Sequence, residues 1–320
     1  MKAVRCQPPG IMIQDDAPKP GASTTEICVR VKLAGICRTD LELTRGYMGF
    51  TGILGHEFIG VIDDANAPWP KGARVVGEIN AGCGECPECK RNMQRHCPNR
   101  SVLGILNRSG CMAEWLSLPA ENLLRVPDPV SDPQAVFTEP LAAALEIFEQ
   151  MHIEPTERVC IIGDGKLGLL IAMTFALRHE GASLLIGHHQ NKLDLVSDLL
   201  QTSVEQEPNS TINRQWDVVV DATGSSAGLR RAMQLVKPRG RIVLKSTMAQ
   251  AEPIDLTPLV IDEVTVVGSR CGQFAPALAF LERQKPPVER LVEATYPFDQ
   301  AAAAWEHAQT PGAKKVLLSF

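Results

Sequence analysis

From Arg158 onward the chain repeats one texture, short apolar runs alternating with segments whose apolar residues recur at helical spacing. The apolar runs fall at 159–162, 184–186, 218–220, 242–244 and 264–267, and the helical stretches include 167–178 and 227–236. Strands that are apolar on both faces and separated by helices fit a parallel sheet with helices packed on each side. The predicted class for this part is therefore α/β, a doubly wound parallel sheet. The first strand runs into Gly163-Asp164-Gly165-Lys166-Leu167-Gly168 and then a helix. Such a turn is weak evidence alone but strong between a strand and a helix. Gly163 permits the tight turn, Gly165 lets backbone approach a pyrophosphate, and Gly168 lets helix and strand pack closely. With Lys166 and Leu167 opening the helix, unpaired N–H groups face a phosphate. These residues are the candidate dinucleotide cradle.

About twenty residues further on, an NAD site usually carries an acidic residue for the ribose diol. This chain has Gly187-His188-His189-Gln190-Asn191-Lys192 there. Without a carboxylate, repulsion of a 2′-phosphate falls, and His188, His189 and Lys192 could donate to one. The expectation is NADP or NAD, with NADP slightly favoured.

The N-terminal 126 residues differ in character. They are rich in glycine, proline and β-branched residues, and 27–33 alternates apolar and polar side chains as a half-buried strand does. Similar short runs at 58–63, 73–76 and 114–118 make this half β-rich, while 133–151 has helical spacing. A chain of 320 residues exceeds the usual size of one core, so two domains are expected. A net charge of −5 without a basic face argues against a nucleic-acid partner. No apolar run is long enough for a spanning helix, so no membrane partner is expected. The opening MKAVR reads as a first strand, and the protein is expected in the cytoplasm with reduced thiols.

Cys83, Cys86, Cys89 and Cys97 are spaced C-x2-C-x2-C-x7-C within residues 80–100. Short steps of this kind let four thiolates converge on one tetrahedral zinc ion. Ten cysteines in a chain this long are too few for a disulfide scaffold, so the lobe reads as a structural zinc site.

A zinc used for shape prompts a search for a second used for chemistry. Cys37 follows a predicted strand in GICRTD, His56 and Glu57 lie in GHEFIG, and Glu139 lies in TEPLA. Each is unremarkable alone. Together with the four-cysteine lobe, GDGKLG, DATGS at 221–225 and the closing GAKKVLL, they make the whole chain resemble the zinc-dependent medium-chain dehydrogenases, the alcohol, polyol and sugar dehydrogenase superfamily. The resemblance implies a GroES-like β-domain built from both chain ends around a Rossmann domain. The expected boundaries are 1–135, 136–269 and 270–320. It further implies that Cys37, His56 and Glu139 hold a catalytic zinc, that Glu57 is a second carboxylate able to move onto the metal, and that Asp40 fixes the His56 tautomer. Thr223 of DATGS joins the candidate cofactor residues.

Zinc and NAD(P) at such a site imply hydride transfer to or from a hydroxyl carbon, with Thr39 passing the proton outward. Glu42 stands where alcohol dehydrogenases of this kind often have a histidine ending the relay. With Glu139 as third ligand, it tilts the expected substrate toward a secondary alcohol, polyol or sugar-like hydroxyl. The same site could serve an NADPH-dependent carbonyl reductase. A catalytically silent cofactor-binding protein is the alternative from another class; it would be expected to have lost Cys37, His56, Glu139 or Thr39, and all are present. A homodimer or homotetramer is expected.

Overall fold

Buried Ile27, Val29 and Val31 alternate along Glu26–Gly35, the long strand on which the first unit is built. It pairs antiparallel with Glu57–Ile62, Trp115–Pro119 and Lys315–Ser319. The computed structural model describes residues 1–21, 25–63, 69–245 and 253–320. Within these, the chain divides into Met1–Glu139 with Gln273–Phe320, and Pro140–Gly272.

In the first unit the sheet order is Leu123–Arg125, Arg74–Gly77, Glu57–Ile62, Glu26–Gly35, Lys315–Ser319 and Val292–Pro297, with Trp115–Pro119 joined to Glu26–Gly35. Both chain ends therefore contribute to one sheet. Leu317 lies opposite Gly35, and Ile36 N–H donates to the Val316 carbonyl at 3.0 Å. This register brings Lys315 to the point where the chain leaves the sheet toward Cys37. The helix Arg38–Thr44 begins there, and the Asp40 carboxylate accepts the Cys37 N–H at 2.8 Å.

The second unit carries six parallel strands in the order Gln201–Val204, Ser183–Gly187, Val159–Ile162, Trp216–Asp221, Val236–Leu244 and Thr265–Gly268. The first strand in sequence is central and the order reverses beside it, the doubly wound Rossmann arrangement. Val159, Cys160 and Ile161 are fully buried, as expected for a strand covered on both faces. Gln201–Val204 is the one strand absent from the pattern reading. Its sequence, QTSV, has one apolar residue because it lies at a sheet edge, half-buried or exposed along its length. Among the described residues no helix is long and apolar enough to cross a membrane.

Candidate functional site

Three groups of side chains assemble, two in the first unit and one in the second. The first is the cysteine lobe. Ligand atoms of Cys83, Cys86, Cys89 and Cys97 all lie within 4.8 Å of one another. Cys86 caps the short helix Pro87–Lys90, its sulfur accepting the Cys89 N–H at 3.4 Å, and Cys97 Sγ accepts the Cys83 N–H at 3.4 Å. Backbone N–H groups of Glu85 and Cys86 pull the Cys83 thiol down to about 6, favouring the thiolate a metal needs. Gly84, at φ +77°, makes the turn between the first two ligands. A Cβ on Gly82 would stand 2.7 Å from Cys89 Sγ, so the lobe leaves no room there. Four sulfurs converging in this way, with N–H donors aimed at them, fit a zinc ion.

The second group contains Cys37, His56 and Glu57, whose ligand atoms also lie within 4.8 Å of one another. His56 is 3% exposed, and its Nδ1 has no hydrogen bond, with Asp40 Oδ1 at 3.4 Å. Asp40 is fully buried and also accepts the Gly55 N–H at 3.1 Å. Burial opposes a charge on His56, but the Asp40 carboxylate and the Cys37 thiol outweigh it and raise its pKa well above the ordinary value. A half-buried thiol gathered with a buried imidazole and a buried carboxylate fits a catalytic zinc, which takes three protein ligands and keeps a position open.

The carboxylate that converges with the thiol and imidazole is that of Glu57. Glu57, expected in reserve, is in the converging group; Glu139, expected as third ligand, is outside it, in the first turn of Thr138–Gln150. Lys315 accounts for part of this. Its ammonium donates to Glu57 Oε2, and both residues are nearly inaccessible. Burial lowers the Lys315 pKa, but Glu57, Cys37 and Glu139 outweigh that and raise it. The ammonium also lies 5.8 Å from the Phe137 ring centre. Lys315 was not singled out by sequence reasoning, although it lies in the closing GAKKVLL; the residue it meets is 258 positions away.

Thr39 stays with the site, its hydroxyl 3.8 Å from Cys37 Sγ. The Glu42 carboxylate meets Arg45 at 3.0 Å and Arg38 at 3.5 Å along the helix face, the pairing that an i,i+3 and i,i+4 charge set produces.

The third group is the glycine turn of the second unit. Gly163 has φ +110°, the region glycine alone enters freely. A Cβ on Gly168 would sit 1.9 Å from the Gly163 carbonyl, so only glycine allows this helix–turn approach. Gly165 caps Lys166–Arg178, and a Cβ there would meet nothing within 4 Å. Lys166 and Leu167 form the first turn of that helix. Such an open backbone at a helix start fits a pyrophosphate. Thr223 lies at the same sheet end: its hydroxyl donates to Asp221 Oδ1 at 2.7 Å, and Ala222 N–H donates to the Ile162 carbonyl at 3.0 Å. His188 is turned away, its Nδ1 bonded to the Glu205 carbonyl at 2.6 Å.

Sequence reasoning found no carboxylate at the end of Ser183–Gly187. The structure supplies one from the glycine turn. Asp164 Oδ2 accepts N–H groups of His188 at 2.8 Å and His189 at 2.7 Å, and it bonds His189 Nδ1 at 2.9 Å. The charge argument for NADP therefore loses its premise. The middle position of a glycine turn reads as unconstrained, which is why Asp164 carried no signal.

Comparison with known proteins agrees with these groups. Residues 23–128 match the family described as "Alcohol dehydrogenase GroES-like domain", and residues 176–283 match "Zinc-binding dehydrogenase". The D-arabitol-phosphate dehydrogenase of Enterococcus avium is 25% identical, the match covering 99% of this chain and 97% of the relative. The fold is similar to that of the alcohol dehydrogenase RspB of Escherichia coli CFT073, solved with NADH, at TM-score 0.91 and 25% identity over 100% of this chain and 99% of that one. It is also similar to a zinc-binding dehydrogenase of Sinorhizobium meliloti 1021 solved with NADP, at TM-score 0.90 and 25% identity with the same coverage. The cysteine lobe, the thiol–imidazole–carboxylate centre, the glycine turn and these matches lead to one conclusion: the chain belongs to the zinc-dependent medium-chain dehydrogenase/reductase superfamily and is a zinc- and NAD(P)-dependent oxidoreductase.

Proposed function

We propose that this oxidoreductase acts on the hydroxyl of a polyol or sugar-like substrate, or on the corresponding carbonyl in reverse. The observation that carries the reading is the convergence of half-buried Cys37 with buried His56 and Glu57, with the charge of Glu139 close enough to act on Lys315. Glu139, half-buried there, offers a carboxylate acceptor to a second hydroxyl of a polyhydroxylated molecule, which a simple alcohol lacks. The likeness to a D-arabitol-phosphate dehydrogenase supports the same class.

Cys37 and His56 with a carboxylate, Glu57 or Glu139, would hold the catalytic zinc, and the four lobe cysteines the structural one. Zinc at the first site supplies a Lewis acid that lowers the pKa of a substrate hydroxyl. NAD(P) supplies the hydride acceptor or donor. The chain does the rest. Asp40 accepts the N–H groups of Cys37 and Gly55, which fixes the backbone carrying two of the metal-site side chains. Lys315 holds Glu57 in one orientation, so the carboxylate is preorganised. Thr39 Oγ1, adjoining Cys37, is the group we assign to carry the substrate's proton away. Gly163, Gly165 and Gly168 let the backbone meet the coenzyme pyrophosphate, and the first unit is assigned the substrate while the second is assigned the coenzyme.

A panel of polyols, sugars and simple primary alcohols, followed at the nicotinamide absorbance, tests the substrate class. Polyols or sugars are expected to exceed simple alcohols by about tenfold or more in kcat/KM. A preference for simple alcohols would overturn the reading.

We also infer a homodimer or homotetramer. The support is the open sheet edge at Thr265–Gly268 with Val266 exposed, beside the helix Thr257–Ile261, on which Val260 and Ile261 are 77% and 73% exposed. A monomer in sedimentation equilibrium would sink that inference. A cytoplasmic location is supported by the convergence of Cys83, Cys86, Cys89 and Cys97, which a reducing compartment keeps available as metal ligands.

A further inference from the structure

We propose that Asp164 sets coenzyme choice, favouring NAD over NADP because its carboxylate occupies the ribose end of the sheet and engages the side chains a 2′-phosphate needs. The proposal rests on the dinucleotide reading of the second unit and deepens it.

Val159–Ile162 and Ser183–Gly187 run side by side in parallel, with Ile162 opposite Ile186. Two residues beyond each, Asp164 and His188 leave neighbouring strand ends. Gly187 makes the approach possible. A Cβ there would lie 2.6 Å from Asp164 Cβ and 2.8 Å from Oδ2, so any other residue would push the carboxylate off the strand end.

The carboxylate that fits over Gly187 is heavily engaged. Oδ2 serves the two backbone N–H groups of His188 and His189 and the His189 imidazole. Lys192 Nζ stands 4.0 Å from Oδ1. The Asp164 side chain is 10% exposed and that of Lys192 14%, so water screens the pair only partly. Burial raises the Asp164 pKa, but the His189 ring and the two backbone donors outweigh it and hold it below the ordinary carboxylate range. Asp164 is therefore ionised at neutral pH.

In a doubly wound sheet the adenosine ribose lies at this strand end. A ribose diol brings hydroxyl donors to the neighbourhood of a carboxylate. A 2′-phosphate brings close to two negative charges instead, and the cation that would receive it, Lys192, is already balanced by Asp164, which also holds the His189 ring. At an effective dielectric of about 20, one fixed charge within several ångströms changes phosphate binding by about tenfold or more.

The test uses the zinc-loaded full chain and measures Kd for NADH and NADPH by nicotinamide fluorescence, with no substrate present. Wild type is expected to bind NADH about tenfold tighter than NADPH. Asp164→Asn keeps an oxygen that can accept a backbone N–H but removes the charge. It is expected to narrow the ratio about tenfold, chiefly through tighter NADPH. Adding Lys192→Ala to Asp164→Asn should remove the NADPH gain. Wild type binding NADPH as tightly as NADH overturns the proposal, a result that stands even if Asp164→Asn does not fold. An unchanged ratio in a folded Asp164→Asn overturns it too. Binding of neither coenzyme to wild type would instead overturn the dinucleotide reading, and this proposal with it.

Discussion

Cys37→Ala is expected to lower turnover by more than about a hundredfold and to take bound zinc from about two ions per chain to about one. The two readouts belong together. Losing the thiolate leaves His56 and Glu57 as a two-ligand set, too weak to retain the metal, while the cysteine lobe is untouched. Metal analysis therefore reports which site emptied, and the rate reports whether that site performs the chemistry. Cys97→Ser should reverse the pattern in part: one zinc is lost from the lobe, and Cys37 and His56 keep theirs. Full turnover in Cys37→Ala would remove the thiol–imidazole–carboxylate centre from the mechanism.

Lys315→Met is expected to destabilise the protein with its catalytic zinc removed by about 3–5 kcal/mol in denaturant unfolding, because it strands Glu57 as a buried carboxylate without its cation. The volume change is small, so the loss is one of charge balance. Lys315 and Glu57 are 2% and 1% exposed, which leaves water little access to compensate. The double variant Lys315→Met/Glu57→Gln should recover more than half of the loss, since a neutral amide costs less to bury than an unpaired ion. A single variant as stable as wild type would show that the pair contributes nothing to the fold.

What the sequence disclosed depended on how local the geometry is. The lobe was legible because four cysteines within fifteen residues can reach one point by loop geometry alone. The glycine turn was legible because Gly163 and Gly168 answer steric demands within six residues, the Gly168–Gly163 approach being the tightest. The parallel, helix-covered sheet of the second unit followed from apolar strands alternating with helices. Distant partners were not legible. The Lys315–Glu57 pair depends on strand register between the two ends of the chain, and no spacing rule reaches that far. Asp164 depends on which way one side chain turns from a tight bend. The ion pairs of Glu42 with Arg38 and Arg45 follow from helix periodicity, which sequence alone does not orient toward or away from a site.

Building one sheet from both chain ends has a consequence for synthesis. As the polypeptide emerges from the ribosome, residues 140–272 are complete while the earlier unit still lacks its partner for Glu26–Gly35. Until Lys315–Ser319 arrives, that strand keeps an exposed edge and Glu57 has no ammonium beside it. Nascent chains should therefore gain a finished coenzyme half first, and the reactive half only once Lys315–Ser319 has been made.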